Sequence, residues 1–162
     1  MLQLVPMTEP EFQAFRATEI AEYAKAHVTA GRWRPEDSLR LAEQEINDLL
    51  PDGLATPHHY LFSLRDEALG APVGRLWFAV QQEAGSKPTA FVFNIVIFEA
   101  FRRQGYGSQA MQALEKQVRQ LGLSTISLHV FGHNHAARAM YEKLGYETTN
   151  VMMRKLLISQ GD

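Results

Sequence analysis

The run FVFNIVIF, residues 91–98, is apolar at every position except Asn94. It lacks the alternation of polar and apolar residues that a strand with one solvated face would show. Such a run is typical of a strand that is covered on both faces. We therefore expect a central sheet with a layer of structure packed on each side of it.

Helical patterns both precede and follow this strand in the sequence. A capping box formed by Thr8 and Glu11 begins the first helix, and Gly31 ends it. The later helices show apolar residues at helical spacing and end at glycine or proline. The four predicted helices span residues 8–30, 35–50, 105–121 and 134–144.

Strand patterns account for most of the remaining chain. They fall at residues 60–65, 73–81, 90–98 and 125–131, with a final extended region at 146–158. Short turns separate the first three, which predicts an antiparallel meander. A helix separates the third from the fourth, which implies a parallel pair with a right-handed crossover. The predicted fold class is therefore α/β (α+β), with a mixed, mostly antiparallel, twisted sheet flanked by helices.

Composition narrows the class of protein. The 162 residues suit one domain, in which residues 1–57 supply an N-terminal strand and two helices and residues 58–162 supply the sheet. The absence of cysteine excludes disulfides and thiolate metal sites. The start of the chain has no signal-like pattern, and no apolar run is long enough to span a bilayer. We expect a cytoplasmic protein that does not bind membranes.

Charge is distributed unevenly along the chain. Residues 1–60 carry ten acidic and five basic residues, a net charge of −5, whereas residues 61–162 carry a net charge of +3. The two parts could therefore face ligands of opposite sign, although ordinary solvated surface explains the same charges. No basic run indicates a nucleic-acid groove.

The turn RRQGYGS, residues 102–108, joins the central strand to the third helix. Glycines let the backbone turn tightly, and the first N–H groups of a helix point outward with the positive end of its dipole. Such a turn binds phosphate oxygens. A turn needed only for the fold is the alternative, and the two preceding arginines favour the binding function.

A second motif, NHAARAMYEKLGY, spans residues 134–146. Asn134, Ala137 and Tyr141 share one helix face because they stand at i, i+3 and i+7. Asn134 is also a good N-cap, and Tyr141 could simply be a core aromatic residue. Taken alone, this motif leaves both interpretations open.

Together the two motifs resemble the GNAT superfamily of acetyl-CoA-dependent N-acetyltransferases. The family pattern R/Q-x-x-G-x-G/A is met by Arg102, Gly105 and Gly107. The later family pattern N-x-x-A-x-x-x-Y-E-K-x-G-F/Y is met by Asn134, Ala137, Tyr141, Glu142, Lys143, Gly145 and Tyr146. The resemblance is close from about residue 73 onward and covers the first two helices only in type and position.

The resemblance implies a slot for acetyl-CoA between two splayed parallel strands. The pantetheine arm would pair with the backbone of Ile95, Val96 and Ile97, Asn134 and Ala137 would contact the cofactor, and Tyr141 would lie near its sulfur. The pyrophosphate would sit on the N–H groups of Arg102, Arg103, Gln104, Gly105, Tyr106, Gly107 and Ser108. No metal is implied.

Direct transfer to an amine needs a base and an acid. An ordinary alkylammonium has a pKa of about 10 and must lose a proton before attack. The thiolate that leaves benefits from a donor such as the Tyr141 hydroxyl. Histone-type members carry a glutamate where this chain has Phe91, so the base is unassigned. Asn94 can hold a water, and the candidates for the base are Glu22, His59 and Glu99.

The acceptor is expected between the first two helices and the open end of the sheet. The predicted substrate-binding residues are Glu22, Tyr23 and His59, and a cationic amine would suit the acids Glu19, Glu22 and Glu43. A small amine, a peptide or protein amine, and a noncatalytic CoA-binding module remain alternatives. A metal site is not expected at His129, His133 and His135, because strand and turn residues point in different directions and no carboxylate or cysteine joins them. A homodimer is compatible with the sequence.

Overall fold

The computed structural model describes residues 1–158 and contains four helices within that range. Helix α1 begins where predicted, because the Thr8 side chain accepts the N–H of Glu11 while the Glu11 carboxylate accepts the N–H of Thr8. These reciprocal bonds satisfy two otherwise free N–H groups. The helices are α1 (Glu9–Thr29), α2 (Pro35–Leu49), α3 (Tyr106–Gln120) and α4 (His135–Lys143).

The sheet of the described residues has five strands in chain order. They are β1 (Leu2–Pro6), β2 (His59–Asp66), β3 (Pro72–Gln81), β4 (Thr89–Ile97) and β5 (Ile126–Leu128). The first four pair antiparallel, and β5 joins β4 in parallel. The predicted mixed, mostly antiparallel sheet is therefore confirmed.

Apolar clusters cover both faces of the sheet. One cluster packs α3 against one face, with Met111 and Leu114 fully buried beside Leu76 and Phe78. The other packs α1 and α2 against the opposite face and is built from Phe12, Phe15, Ile46, Leu61 and Trp77, among others. This two-sided burial is the reason why β4 carries an unbroken apolar run.

The parallel pair is short, and its strands then part. Pairing of β4 with β5 covers Ala90, Phe91 and Val92, whereas β4 continues to Ile97 with hydrogen bonds to β3 alone. A bulge between Trp77 and Phe78 interrupts the β3–β4 register near the same level. The splay predicted for the parallel pair is therefore present.

The end of the described chain differs from its predicted conformation. Residues 146–158, predicted to be extended, form no strand, and β5 is shorter than the predicted 125–131. Residues 147–158 are exposed throughout. A strand is held by hydrogen bonds to a neighbour, and within the described range no other segment pairs with these residues.

Candidate active site

The turn that enters α3 has an unusual backbone. Gly105 is the N-cap with φ of +82°, and Arg103 also has positive φ, +62°. No side chain in the described chain caps the helix, so its first N–H groups remain available. A Cβ on Gly105 would meet no protein atom within 4 Å. The turn therefore offers free donors to an anion from an open side.

The side chains of the same turn point in several directions. Arg102 Nε donates to the carbonyl of Ile97 at 3.1 Å, and Gln104 donates to the carbonyl of Ala100 at 3.4 Å. Tyr106 is buried, with its hydroxyl donating to Asp66 at 2.7 Å. Arg103 and Ser108 are exposed, and Gly107 is half-buried. The buried Tyr106 side chain is therefore already engaged, and only the backbone N–H of this residue can bind an anion.

The second half of β4 presents an unpaired edge beside this turn. Ile95, Val96 and Ile97 pair with β3 on one side, and on the other side β5 has already ended its pairing at Val92. The N–H and C=O groups of this edge that neither β3 nor Arg102 Nε engages can accept another extended chain as an added strand. The edge and the α3 turn are consecutive in sequence, so one ligand can contact both.

Helix α4 closes the far side of the turn. The side chain of Asn134 accepts the N–H of Ala137 at 3.3 Å, which makes it an N-cap. Met140 lies next to Gly107, since a Cβ there would be 3.4 Å from the Met140 sulfur. The two sequence motifs are thus brought together in space.

Tyr141 packs half-buried against the cluster on the α3 side of the sheet. Its ring lies 5.7 Å from that of Tyr146. Burial raises the pKa of the Tyr141 hydroxyl above its ordinary value. The hydroxyl therefore stays protonated at neutral pH and is available as a donor.

Three polar side chains have buried atoms on the α1 side of the sheet. Glu19 of α1 is 5% exposed and Arg75 of β3 is 9% exposed. Glu19 Oε2, Arg75 Nε and Asn94 Oδ1 are buried, and none has a hydrogen-bond partner among the described residues. Buried polar atoms are normally paired, so three unpaired atoms on one face indicate a place for a ligand or water.

The sheet register brings these atoms to the same layer. Arg75 lies opposite Val96, and Trp77 lies opposite Asn94, so all four side chains project to the face that α1 covers. Phe15, one turn before Glu19, contacts this layer, with the Arg75 guanidinium 5.3 Å from its ring centroid. Arg75 also lines a cleft of about 320 Å³ between α1 and the sheet.

Burial raises the pKa of Glu19 to about 7. The charge of Arg75 opposes this shift, and the charge of Glu22 adds to it. From the sequence, Glu19 was expected only as an acidic residue that attracts an acceptor, and Arg75 was not predicted at all. A lone charged residue within the apolar strand VGRLWFAV was the available signal.

Aromatic rings join the end of α1 to the chain after β5. His27 is 3% exposed and stacks on Trp33 at a centroid distance of 4.0 Å. It also meets the edge of Phe131 at 5.1 Å and of Tyr23 at 4.4 Å. The Tyr23 hydroxyl donates to Glu45 at 2.6 Å. The two early helices therefore reach across the open end of the parallel pair.

The other predicted acceptor and base residues lie apart from this layer or are already engaged. Glu22 and Glu99 are exposed, and the latter sits in a short turn after β4. Glu43 is exposed and forms an ion pair with Arg16 at 3.6 Å. His59 is half-buried, and its Nδ1 accepts a hydrogen bond from the Trp77 indole at 3.0 Å.

Neither a metal centre nor a transmembrane helix is found in residues 1–158. No cluster of three or more histidine or acidic side chains in that range has the arrangement to hold a metal ion. His129 and His133 instead pack against Phe131, at 4.9 and 5.5 Å. No helix there has the length and hydropathy to cross a bilayer.

Comparison with known proteins shows the family. A model of the acetyltransferase (GNAT) family matches residues 17–146. The chain belongs to the GNAT acetyltransferase family. It is therefore an acyltransferase of the N-acetyltransferase class, and the predicted GNAT fold is confirmed. GNAT enzymes use acetyl-CoA as cosubstrate and act on amine acceptors.

Two N-acetyltransferases of Bacillus subtilis are similar to this chain over nearly their full length. The uncharacterized N-acetyltransferase YycN is 40% identical over 96% of this chain and 99% of its own. The uncharacterized N-acetyltransferase YdgE is 36% identical over 95% of this chain and 97% of its own. The crystal structure of YycN aligns with 98% of this chain and all of its own, with a TM-score of 0.92.

Proposed function

We propose that this enzyme transfers the acetyl group of acetyl-CoA to the primary amine of a small cationic acceptor in a ternary complex. The observation that carries the proposal is the free edge of β4 between two sets of groups. The uncapped turn of α3 and Tyr141 lie toward the α3 side of this edge. Glu19, Arg75 and Asn94 lie toward the α1 side.

The residues of the turn and the β4 edge fit acetyl-CoA. The N–H groups from Arg103 to Ser108 would hold the pyrophosphate, since free amides at a helix N-terminus favour an anion. The Arg102 N–H already donates to the carbonyl of Glu99 at 3.3 Å. The backbone of Ile95, Val96 and Ile97 would pair with the pantetheine amides. Ala137 would leave room for the pantetheine arm, and Asn134 caps the first turn of α4. Acetyl-CoA would supply the activated acyl group.

Glu19 is proposed as the proton acceptor for the incoming amine. A carboxyl with a pKa of about 7 is largely ionised just above neutral pH and still basic enough to take a proton from an ammonium group. Asn94, on the same face, would hold the amine or a bridging water through its unpaired Oδ1. Glu22 is the exposed alternative on the same helix, since its charge also acts on Arg75.

Tyr141 is proposed as the proton donor for the departing thiolate. In the complete step, the amine nitrogen forms a bond to the acyl carbon and the bond from that carbon to sulfur breaks. Glu19 takes one proton from the ammonium group before attack, and the second proton leaves the nitrogen to water as the amide forms. The Tyr141 hydroxyl gives a proton to sulfur. Water then returns a proton to Tyr141 and removes one from Glu19.

A small acceptor is favoured by the closure on the α1 side. The contact between His27 and Phe131 ties the early helices to the chain after β5, which narrows the route that a folded protein loop would need. The buried carboxyl of Glu19 and the acidic surface of residues 1–60 favour a cation. The absence of cysteine and the use of acetyl-CoA support a cytoplasmic location.

The test is CoA release with a panel of amines that pairs cationic and neutral members with short peptides. We expect the highest kcat/KM for a small amine that carries a second positive charge, with a decrease at high salt because exposed charges are screened within about 8 Å. Preference for peptide N-termini or lysines would replace the small acceptor with a peptide. Acetyl-CoA binding without turnover of any amine would favour the noncatalytic module.

A further inference from the structure

The cleft of about 320 Å³ between α1 and the sheet takes no part in the steps proposed above. Its walls are largely apolar, with Met7, Phe15 and Phe98 among the residues that line it. The cleft reaches the end of β4, because Phe98 directly follows Ile97, the last residue of that strand. It therefore lies next to the edge proposed to hold the pantetheine arm and can receive a short hydrocarbon chain.

Two charged side chains line this cleft, Glu11 and Arg75. The Glu11 carboxylate accepts the N–H of Thr8 at 2.9 Å and pairs with Arg65. The Nε atom of Arg75, in contrast, is buried and has no hydrogen-bond partner within residues 1–158. Leaving a buried donor unpaired costs stability, so the Arg75 guanidinium is expected to meet an acceptor group when the cleft is occupied.

Aromatic rings hold the Arg75 guanidinium in place. Its central carbon lies 5.3 Å from the ring centroid of Phe15 and 6.0 Å from that of Phe98. Cation–π contacts of this kind fix the position of the charge without using its N–H donors. The donors of a guanidinium match the two oxygens of a carboxylate, which they bind through parallel hydrogen bonds.

Glu19 is the nearest candidate for a partner of Arg75 within the chain, since the two charges act on each other. Even so, Glu19 Oε2 and Arg75 Nε are both buried without a hydrogen-bond partner in the described chain. A buried acid and a buried base that are both unpaired suit a ligand that carries both charges. Its ammonium group would lie at Glu19 and its carboxylate at Arg75.

The sheet register sets the separation between the two ends of such a ligand. Arg75 lies opposite Val96, and Asn94 stands two positions earlier on β4. Two positions along a strand correspond to about 7 Å. This spacing favours an acceptor in which several bonds separate the carboxylate from the amine that reacts.

We propose that Arg75 binds a carboxylate of the acceptor in this cleft, and that the acceptor is a small diamino acid. The inference rests on the proposed acetyl transfer and narrows its acceptor. The reacting amine lies at Glu19 and Asn94, the hydrocarbon chain contacts the apolar walls of the cleft, and the carboxylate meets Arg75. The second amine leaves the acceptor with the positive net charge that the acidic surface of residues 1–60 favours.

The first test compares each of two diamino acids with the diamine that lacks its carboxylate. The pairs are lysine with cadaverine and ornithine with putrescine. We expect kcat/KM for the better diamino acid to exceed that for its diamine by about tenfold to hundredfold, the range for hydrogen bonds to a charged group. Lysinamide, whose amide replaces the carboxylate, should behave like cadaverine.

Arg75→Gln should bring the ratio of the two kcat/KM values close to one. Arg16→Gln is the control, since it removes the same charge from α1 at a residue that pairs with Glu43 and does not line the cleft. It should keep the native ratio. Because the ratio compares two substrates on one protein, a variant that is partly unfolded still reports it.

Equal kcat/KM values for both members of each pair would overturn the carboxylate site and leave acetyl transfer to a cationic amine intact. A lower kcat in Arg75→Gln with an unchanged ratio would overturn the site as well, because Arg75 would then act only by positioning Glu19.

The second test measures binding without acetyl transfer. Hexanoate has a carboxylate and a hydrocarbon chain but no amine, and hexanamide is its neutral counterpart. By calorimetry with saturating CoA, the native enzyme should bind hexanoate at least about tenfold more tightly than hexanamide, and Arg75→Gln should remove the difference. Equal affinity of the native enzyme for the two would overturn the carboxylate site. If no amine is turned over, the proposed acetyl transfer fails, and hexanoate binding that depends on Arg75 would still support the site.

Discussion

The indole N–H of Trp77 donates a 3.0 Å hydrogen bond to Nδ1 of His59. The ring proton of a neutral His59 must therefore lie on Nε2. Burial, together with the nearby His58, lowers the pKa of His59 below its usual value. His59 is thus a neutral, oriented ring stacked on Phe93 at 5.7 Å, which suits contact with an acceptor better than removal of its proton.

Replacing Trp77 by phenylalanine tests this relationship. The hydrogen bond favours the neutral form of His59, so its loss should raise the pKa of that ring toward the ordinary range. An NMR titration of the histidine ring protons measures the change. The control is Trp33→Phe, at an indole that stacks on His27 instead. An unchanged His59 titration in Trp77→Phe would mean that burial alone sets its pKa.

The proposed base predicts a specific pH profile. The native kcat/KM should rise with pH and level off above an apparent pKa near 7, because Glu19 must be ionised to accept a proton. Glu19→Gln should lower kcat by about 10²- to 10⁴-fold and remove that limb. Glu43→Gln, at the exposed carboxyl paired with Arg16, should keep both the native kcat and the rise of kcat/KM with pH. If the rise of kcat/KM near pH 7 is unchanged in Glu19→Gln, Glu19 is not the base, and Glu22 or water takes that role.

The same carboxyl predicts a trend in stability. A pKa raised to about 7 means that the folded state holds a proton that the unfolded state releases near its ordinary pKa of 4.5. Stability from Glu19 is therefore complete below pH 4.5 and is lost as pH rises to about 7, by at most about 3 kcal/mol. Urea unfolding at pH 5 and pH 8 should show a smaller difference for Glu19→Gln than for the native chain.

Tyr141→Phe should reduce turnover and leave acetyl-CoA affinity nearly unchanged. The substitution removes the proposed donor and keeps the ring that packs against the α3 cluster. We expect a loss in kcat of about 10²- to 10⁴-fold. Tyr146→Phe, at the neighbouring half-buried ring, is the matched control. Equal rates for Tyr141→Phe and the native enzyme, with chemistry limiting, would assign Tyr141 to packing.

A valine at Gly105 should abolish binding of acetyl-CoA. Its side chain would occupy the open side of the turn, where the structure has no protein atom within 4 Å. Gly70→Val provides a close control, since Gly70 also has positive φ, +63°, and open space around its Cβ. Both variants should lose stability to similar backbone strain. Only Gly105→Val should lose the rise in melting temperature that acetyl-CoA causes.

Short sequence patterns such as caps and turns predicted most of this fold. They did not predict contacts between residues that are distant in the sequence. The capping box at Thr8 and the turn around Gly105 act within a few residues, so their elements appear where expected. Glu19 and Arg75 come near enough for their charges to interact only because α1 packs across β3, and no pattern within either element encodes that approach. The segment 146–158 has strand-like composition, but its conformation depends on a partner strand.

The two apolar clusters have no residue in common, because the sheet stands between them. One supports the elements proposed to hold acetyl-CoA, and the other supports α1 and the acceptor side. Substitutions that reshape the second cluster therefore leave the packing beneath the cofactor turn intact. Evolution, or a designer, can in this way change which amine is recognised while keeping the acyl donor the same.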